Sequence, residues 1–145
     1  MNRSIAPLLA CAVLLTSCIK EEPRPSFTEQ DIVIQSRTIK ISPSAWEEFG
    51  TPGDDIYGYA ADVTVRLITE EIATSGTVRV QLQRSNGGLL DLPVTIAQGG
   101  PDGLNWNFSY HTEGVRLRID RNGGHVEPPS GPETIKVSVI PPTVP

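Results

Sequence analysis

Cysteine is almost missing from this chain of 145 residues: Cys11 and Cys18 are the only two, both near the N-terminus. The rest of the sequence therefore has no disulfide to staple it and no thiolate to act as nucleophile or metal ligand. The two histidines, His111 and His125, are far apart with no thiol partner, which argues against a zinc site. No Gly-x-Ser-x-Gly elbow is present, and no glycine-rich phosphate loop lies between a strand and a helix. Positive charge is also scarce, with 12 Lys+Arg against 17 Asp+Glu and a formal charge of −5. The basic residues are scattered rather than striped, so nucleic acid is not an expected partner. Arg116 and Arg118 share alternate positions with Asp120, as on a solvated sheet face. Repeats of solenoid length are missing too, and no cofactor motif appears.

What the N-terminus does contain is an address. A short start bearing Arg3 leads into the apolar residues 5–15, and Leu15-Thr16-Ser17-Cys18 follows. The apolar run is too short to span roughly 30 Å of hydrocarbon as a lasting helix, so a removable signal is expected. Its ending resembles the bacterial lipobox, in which small residues precede a cysteine that is acylated before cleavage. The resemblance implies that residues 1–17 are a lipoprotein signal peptide and that Cys18 carries lipid. Each buried methylene of that lipid adds about 0.8 kcal/mol of membrane affinity, enough to anchor a chain that does not span. Residues 18–31 then read as the lipidated cysteine and a tether. Pro23 and Pro25 favour an extended spacer that, at about 3.1 Å per residue, reaches up to roughly 35–40 Å. Lys20-Glu21-Glu22 looks like the export signal of surface lipoproteins in Bacteroidota, or else simply a hydrated start to the tether. The implied location is the bacterial outer membrane, lipid-anchored, with the cell surface as the favoured side.

Residues 32–145 read as one all-β domain. Val78, Val80 and Leu82 alternate with polar residues, as do Leu90, Leu92, Val94 and Ile96, and Ser85-Asn86-Gly87-Gly88 lies between the two runs. A hairpin is expected there, because Asn-Gly supplies the positive φ angles of a tight turn. Pro93 has no amide to donate, so its strand should lie at an edge or carry a bulge. Leu104, Trp106, Phe108 and Tyr110 form the apolar side of another run, and Val115, Leu117 and Ile119 follow after Glu113-Gly114 as a second hairpin. Ile135, Val137 and Val139 make a last strand, stopped by Pro141-Pro142. Near the start, Ile32 and Ile34 differ in parity from Ile39 and Ile41, which predicts a bulge or break between them. Tyr57, Tyr59, Ala61, Val63 and Val65 alternate as well. One short helix is expected over residues 68–75, capped by Thr69 and ended by Gly76. The expected fold is an antiparallel β-sandwich of about seven strands with at most one short helix, a partly closed barrel being the alternative.

The lipobox, Ser-Ala-Trp-Glu-Glu-Phe at 44–49, Ile-Thr-Glu-Glu-Ile at 68–72 and the closing Ile-Lys-Val-Ser-Val-Ile at 135–140 together resemble small uncharacterised lipoproteins of Bacteroidota. Some of those carry a collagen-like segment ahead of the β domain, which this chain lacks. The resemblance implies an address and a fold, and assigns no activity or functional residues.

The aromatic set Trp46, Phe49, Tyr57 and Tyr59 around a Gly/Pro/Asp loop is the leading binding candidate, since flat rings beside polar groups stack on sugars or fill a partner's pocket. Its rival reading makes Trp46 and Phe49 a cap on the core. On the binding reading Trp46 tolerates truncation, whereas Trp106, which obeys strand alternation, does not. Asp54 and Asp55, joined by Asp62 or Glu48, are a weak candidate for Ca²⁺ against a solvated acidic turn. Glu47-Glu48 and Glu70-Glu71 are adjacent pairs, poorly placed for the two opposed carboxylates of glycoside hydrolysis. The expected role is therefore a non-catalytic binding or accessory module for a glycan or envelope protein, attached to the membrane through Cys18. The alternatives are a small envelope enzyme acting on polysaccharide and a structural subunit that pairs through a strand edge.

Overall fold

The computed structural model describes residues 33–53, 57–97, 103–121 and 125–142. The signal segment, Cys18, the tether, Asp54 and Asp55 lie outside the described residues. Nine strands form two antiparallel sheets, with a single 3-10 turn and one short helix among the described residues. In chain order they are β1 (Gln35–Ile41), the 3-10 turn (Pro43–Ala45), β2 (Glu47–Phe49), β3 (Gly58–Thr64), α1 (Glu70–Ser75), β4 (Thr77–Gln83), β5 (Leu89–Asp91), β6 (Val94–Ile96), β7 (Leu104–His111), β8 (Gly114–Asp120) and β9 (Glu133–Ile140). One sheet has the order β1-β9-β4-β5 and the other β2-β3-β8-β7-β6. The protein is an all-β sandwich.

The core is built by period-two alternation. On β9, Ile135, Val137 and Val139 point inward, and β4 places Val78, Val80 and Leu82 beside them. From the facing sheet, Val115, Leu117 and Ile119 on β8 are buried, flanked by Tyr59, Ala61 and Val63 on β3 and by Trp106, Phe108 and Tyr110 on β7. The opposite side of β7 and β8 carries Asn105, Asn107, Arg116 and Arg118. There Arg116 pairs with Asp62 at 2.8 Å, and Asp120 accepts from Asn105 at 3.1 Å.

Three local expectations are corrected. First, the alternating run 90–96 is two strands rather than one. Leu92 still donates its amide to Val80 at 2.9 Å, but Leu92-Pro93 is a cis peptide, and from Val94 onward the chain pairs with β7 in the other sheet. Leu90 lies opposite inward Leu82, and Leu92, Val94 and Ile96 pack on the core, so alternation persists while the partner changes. This crossing, together with the short edge strand β2, raises the strand number from about seven to nine. Second, no bulge interrupts β1, whose register with β9 runs unbroken from Gln35↔Val139 to Ile41↔Glu133. Ile34 lies ahead of the strand and is exposed, so its parity does not bear on the pairing. Third, the β4–β5 turn takes its positive φ from Gly87 alone (82°), while Asn86 instead accepts the Gly88 amide through Oδ1 at 3.0 Å. Arg84 closes the loop, accepting from Gly87 at 2.9 Å and donating to Gly88 at 2.8 Å.

The two ends of the sandwich are built differently. At one end lie the starts of β1, β4 and β8 and the ends of β3, β7 and β9, together with α1. Thr69 caps that helix by accepting the Ile72 amide at 3.3 Å, and Glu70 and Glu71 sit in the first turn, where negative charge suits the helix dipole. Glu113, at φ 62°, is held there by two backbone bonds of 2.7 Å, one from Val65 N–H to its carbonyl and one from its N–H to the Ile68 carbonyl. The opposite end gathers Ile41, Trp46, Tyr57, Leu82, Ile96, Trp106 and Glu133.

Candidate functional site

At the end away from α1 a cleft of about 520 Å³ opens between the sheets, lined by Leu82, Gln83, Arg84, Ser85, Ile96, Trp106, Pro132, Glu133 and Thr134. Its size lies within the roughly 300–1,000 Å³ of small-ligand sites. The local sequence explains each wall. Leu82 and Gln83 end β4, and the Arg84–Gly88 hydrogen bonds hold the following loop against the mouth. Ile96 and Trp106 come from the last residue of β6 and the third of β7. Pro132 fixes the backbone just before β9 begins.

Glu133 is the unusual member. It pairs with Ile41 and shares the inward parity of Ile135, Val137 and Val139, so a carboxylate occupies a position where the strand otherwise places aliphatic side chains. Burial pushes its pKa above the ordinary glutamate value, and the positive charge of Arg84 offsets this only in part. Arg84 and Glu133 line one cleft without closing into an ion pair. Trp106 is 5% exposed, and its indole Nε1–H is buried without a hydrogen-bond partner. Trp46, 7% exposed, meets it edge-on with ring centroids 5.8 Å apart, and its Nε1–H is likewise without a partner. An unmade hydrogen bond at a buried donor costs about 1–3 kcal/mol. Among the described residues the cleft wall thus carries one inward carboxylate, and the two tryptophans of this end leave their donors unused.

The four aromatic residues singled out by sequence do not share a surface. Trp46, delivered by the 3-10 turn between β1 and β2, belongs to the core beside Trp106. Phe49 is half-buried on the outer face of its sheet, beneath the Arg118 guanidinium at 4.4 Å. Tyr57 and Tyr59 do come together, edge-on at 6.2 Å, and Tyr57 also stacks on His125 at 6.1 Å. Tyr57 is 2% exposed. The neighbouring Tyr59 hydroxyl, the Glu48 carboxylate and burial push its own hydroxyl well above the usual tyrosine pKa. These two tyrosines therefore join Glu48 and His125 at the β2–β3 margin rather than a platform around Trp46.

Of the proposed calcium partners, Glu48 shares the register position of inward Tyr59, whereas Asp62 points to the outer face and is paired with Arg116. The two cannot converge with each other. Among the described residues no group of three His, Asp or Glu side chains is gathered as a metal site would need. His111 stands beside the β7–β8 turn, its Nδ1 2.9 Å from the Thr112 carbonyl.

Sequence reasoning missed Arg84, Ser85 and Glu133. A signal for Glu133 existed: the last apolar alternation, extended one step back from Ile135, meets a carboxylate at the same parity. Nothing in the sequence marks Arg84, because the loop that aims it is defined by hydrogen bonds to residues that follow. No protein-family model, curated protein or solved structure matches this chain.

Proposed function

We propose that this protein is a lipid-anchored, surface-displayed lipoprotein whose β-sandwich is a non-catalytic binding module for a glycan or envelope protein. One observation carries the reading: the chain enters β1 at the α1 end, and the cleft opens at the opposite end. A tether from a lipid on Cys18 would reach the domain through the start of β1, at the end away from the cleft. Among the described residues the cleft walls offer one carboxylate, Glu133, whereas glycoside hydrolysis uses two, about 5–10 Å apart. That composition favours holding a ligand over cleaving it. The aromatic platform plays no part in this reading, because Trp46 and Tyr57 are buried.

Cys18→Ser tests the anchor. The substituted chain should leave the membrane fraction while folding as the parent does, and protease added to intact cells should reach the parent domain. Retention of Cys18→Ser in the membrane fraction, or protection of the parent from protease, overturns the proposal.

A further inference from the structure

We infer that the open-end cleft is a subsite for a neutral saccharide, held between the Glu133 carboxylate and the Arg84 guanidinium and beside the Trp106 indole. The inference rests on the binding-module reading and names the class of its ligand.

Each wall group has its own hydrogen-bonding capacity. An ionised carboxylate only accepts hydrogen bonds, a guanidinium only donates, and the hydroxyls of Ser85 and Thr134 do both. A ligand that satisfies all of them must donate and accept from closely spaced atoms. Neighbouring hydroxyls on a sugar ring have that property: one donates to Glu133 while the next accepts from Arg84, and both bonds are charge-assisted. Leu82, Ile96 and Pro132 supply apolar wall for the C–H faces of the ring.

Charge then selects among hydroxyl-bearing ligands. An anionic sugar would set its carboxylate against Glu133, on a chain of formal charge −5. An amine would meet the Arg84 guanidinium instead. A neutral ring leaves both charges solvated by hydroxyls. The position of Glu133 supports this reading independently, since it takes an inward position of β9 and, among the described residues, gains no ion pair in exchange. Trp106, nineteen-twentieths buried, adds ring surface to the same wall.

The test uses the full chain in mild detergent. Its two tryptophans both sit at this end, so emission and the two indole N–H resonances report on the cleft directly. The probes are neutral oligosaccharides of hexose and N-acetylhexosamine, a uronic-acid oligomer, a glucosamine oligomer with free amines, and short acidic and basic peptides. A neutral oligosaccharide should saturate the emission change and shift the Trp106 indole resonance. Glu133→Gln and Arg84→Gln should each weaken it about tenfold, the loss expected for one charge-assisted bond, without lowering the thermal midpoint. Saturation by only the charged sugars or the peptides overturns the inference. So does saccharide binding indifferent to both substitutions, and so does no saturation by any probe. Absence of sugar binding in a chain that is still anchored and surface-exposed leaves the module reading standing. Sugar binding in a chain whose Cys18→Ser form stays in the membrane defeats the anchor alone.

Discussion

The two ends of this sandwich are made from the same strands, yet they treat polar groups in opposite ways. At the α1 end the turns and the helix ends are closed by hydrogen bonds: Thr69 caps the helix, Gly76 donates to the Ile72 carbonyl, and the positive-φ Glu113 is fixed by Val65 and Ile68. At the cleft end the Glu133 carboxylate takes an inward position with no ion pair among the described residues, and two buried indoles leave their donors unused. Evolution for stability alone would remove such features, because each unsatisfied buried group costs free energy that a well-packed apolar residue would not. The difference sets a satisfied scaffold end apart from the end proposed above for recognition.

The largest expected effects come from the tryptophan pair that closes the core beneath the cleft. Trp106→Ala should cost about 3–5 kcal/mol, the usual loss for truncating a buried aromatic. Trp46→Ala should cost a comparable amount, since it is almost as buried and its ring packs edge-on against Trp106. Denaturant titration checks both, and a loss under about 1 kcal/mol at Trp46, the size of effect usual for surface substitutions or little more, would restore it to the surface. This reverses the expectation drawn from sequence, in which Trp46 tolerates truncation.

At the scaffold end the effects should be smaller but purely destabilising. A Cβ at Gly76 would stand 2.8 Å from the Ile140 carbonyl oxygen and 2.9 Å from the Ile72 Cα, both backbone atoms that cannot swing aside. Gly76→Ala should therefore cost about 1–3 kcal/mol, as overpacking typically does. Thr69→Ala removes the helix cap and should cost about 1 kcal/mol. Neither substitution should alter ligand binding at the cleft. Loss of binding in a Thr69→Ala chain that remains folded would show that the ends are coupled rather than divided in labour.

Much of this division was legible in the sequence, and the part that was not has a physical reason. Alternation reports which side of a strand faces the core, so the inward sets on β4, β7, β8 and β9, the polar Asn105-Asn107 side and the Thr69 cap all follow from it. Alternation does not report which sheet a strand belongs to. Residues 90–96 keep one parity while passing from one sheet to the other at Leu92-Pro93, and only the pairing of Leu92 with Val80 and of Val94 with Trp106 reveals the change. Aromatic character was likewise visible at Trp46, Phe49, Tyr57 and Tyr59, but its use was not. The 3-10 turn folds Trp46 inward, whereas two-residue alternation along β2 sends Phe49 outward, a separation set by backbone geometry over a few residues. Glu133 was hidden by the habit of starting a strand at its first apolar residue.

The smallest stability effect expected is also the most telling. Because burial raises the pKa of Glu133, the folded state holds that proton more tightly than the unfolded chain does. The group's contribution is thus fully present below the unfolded glutamate pKa and is lost as pH rises through the folded value. Above it, the ionised carboxylate destabilises the native state. Thermal midpoints of the parent and of Glu133→Gln, compared from about pH 4 to about pH 8 around the ordinary glutamate range, test the account most directly. The account predicts that the variant melts higher at neutral pH and that the gap closes toward acid, where the parent is protonated too. A variant that melts lower at neutral pH would mean that the Glu133 carboxylate is a stabilising element of the scaffold, contradicting the division of the molecule into a satisfied end and a binding end.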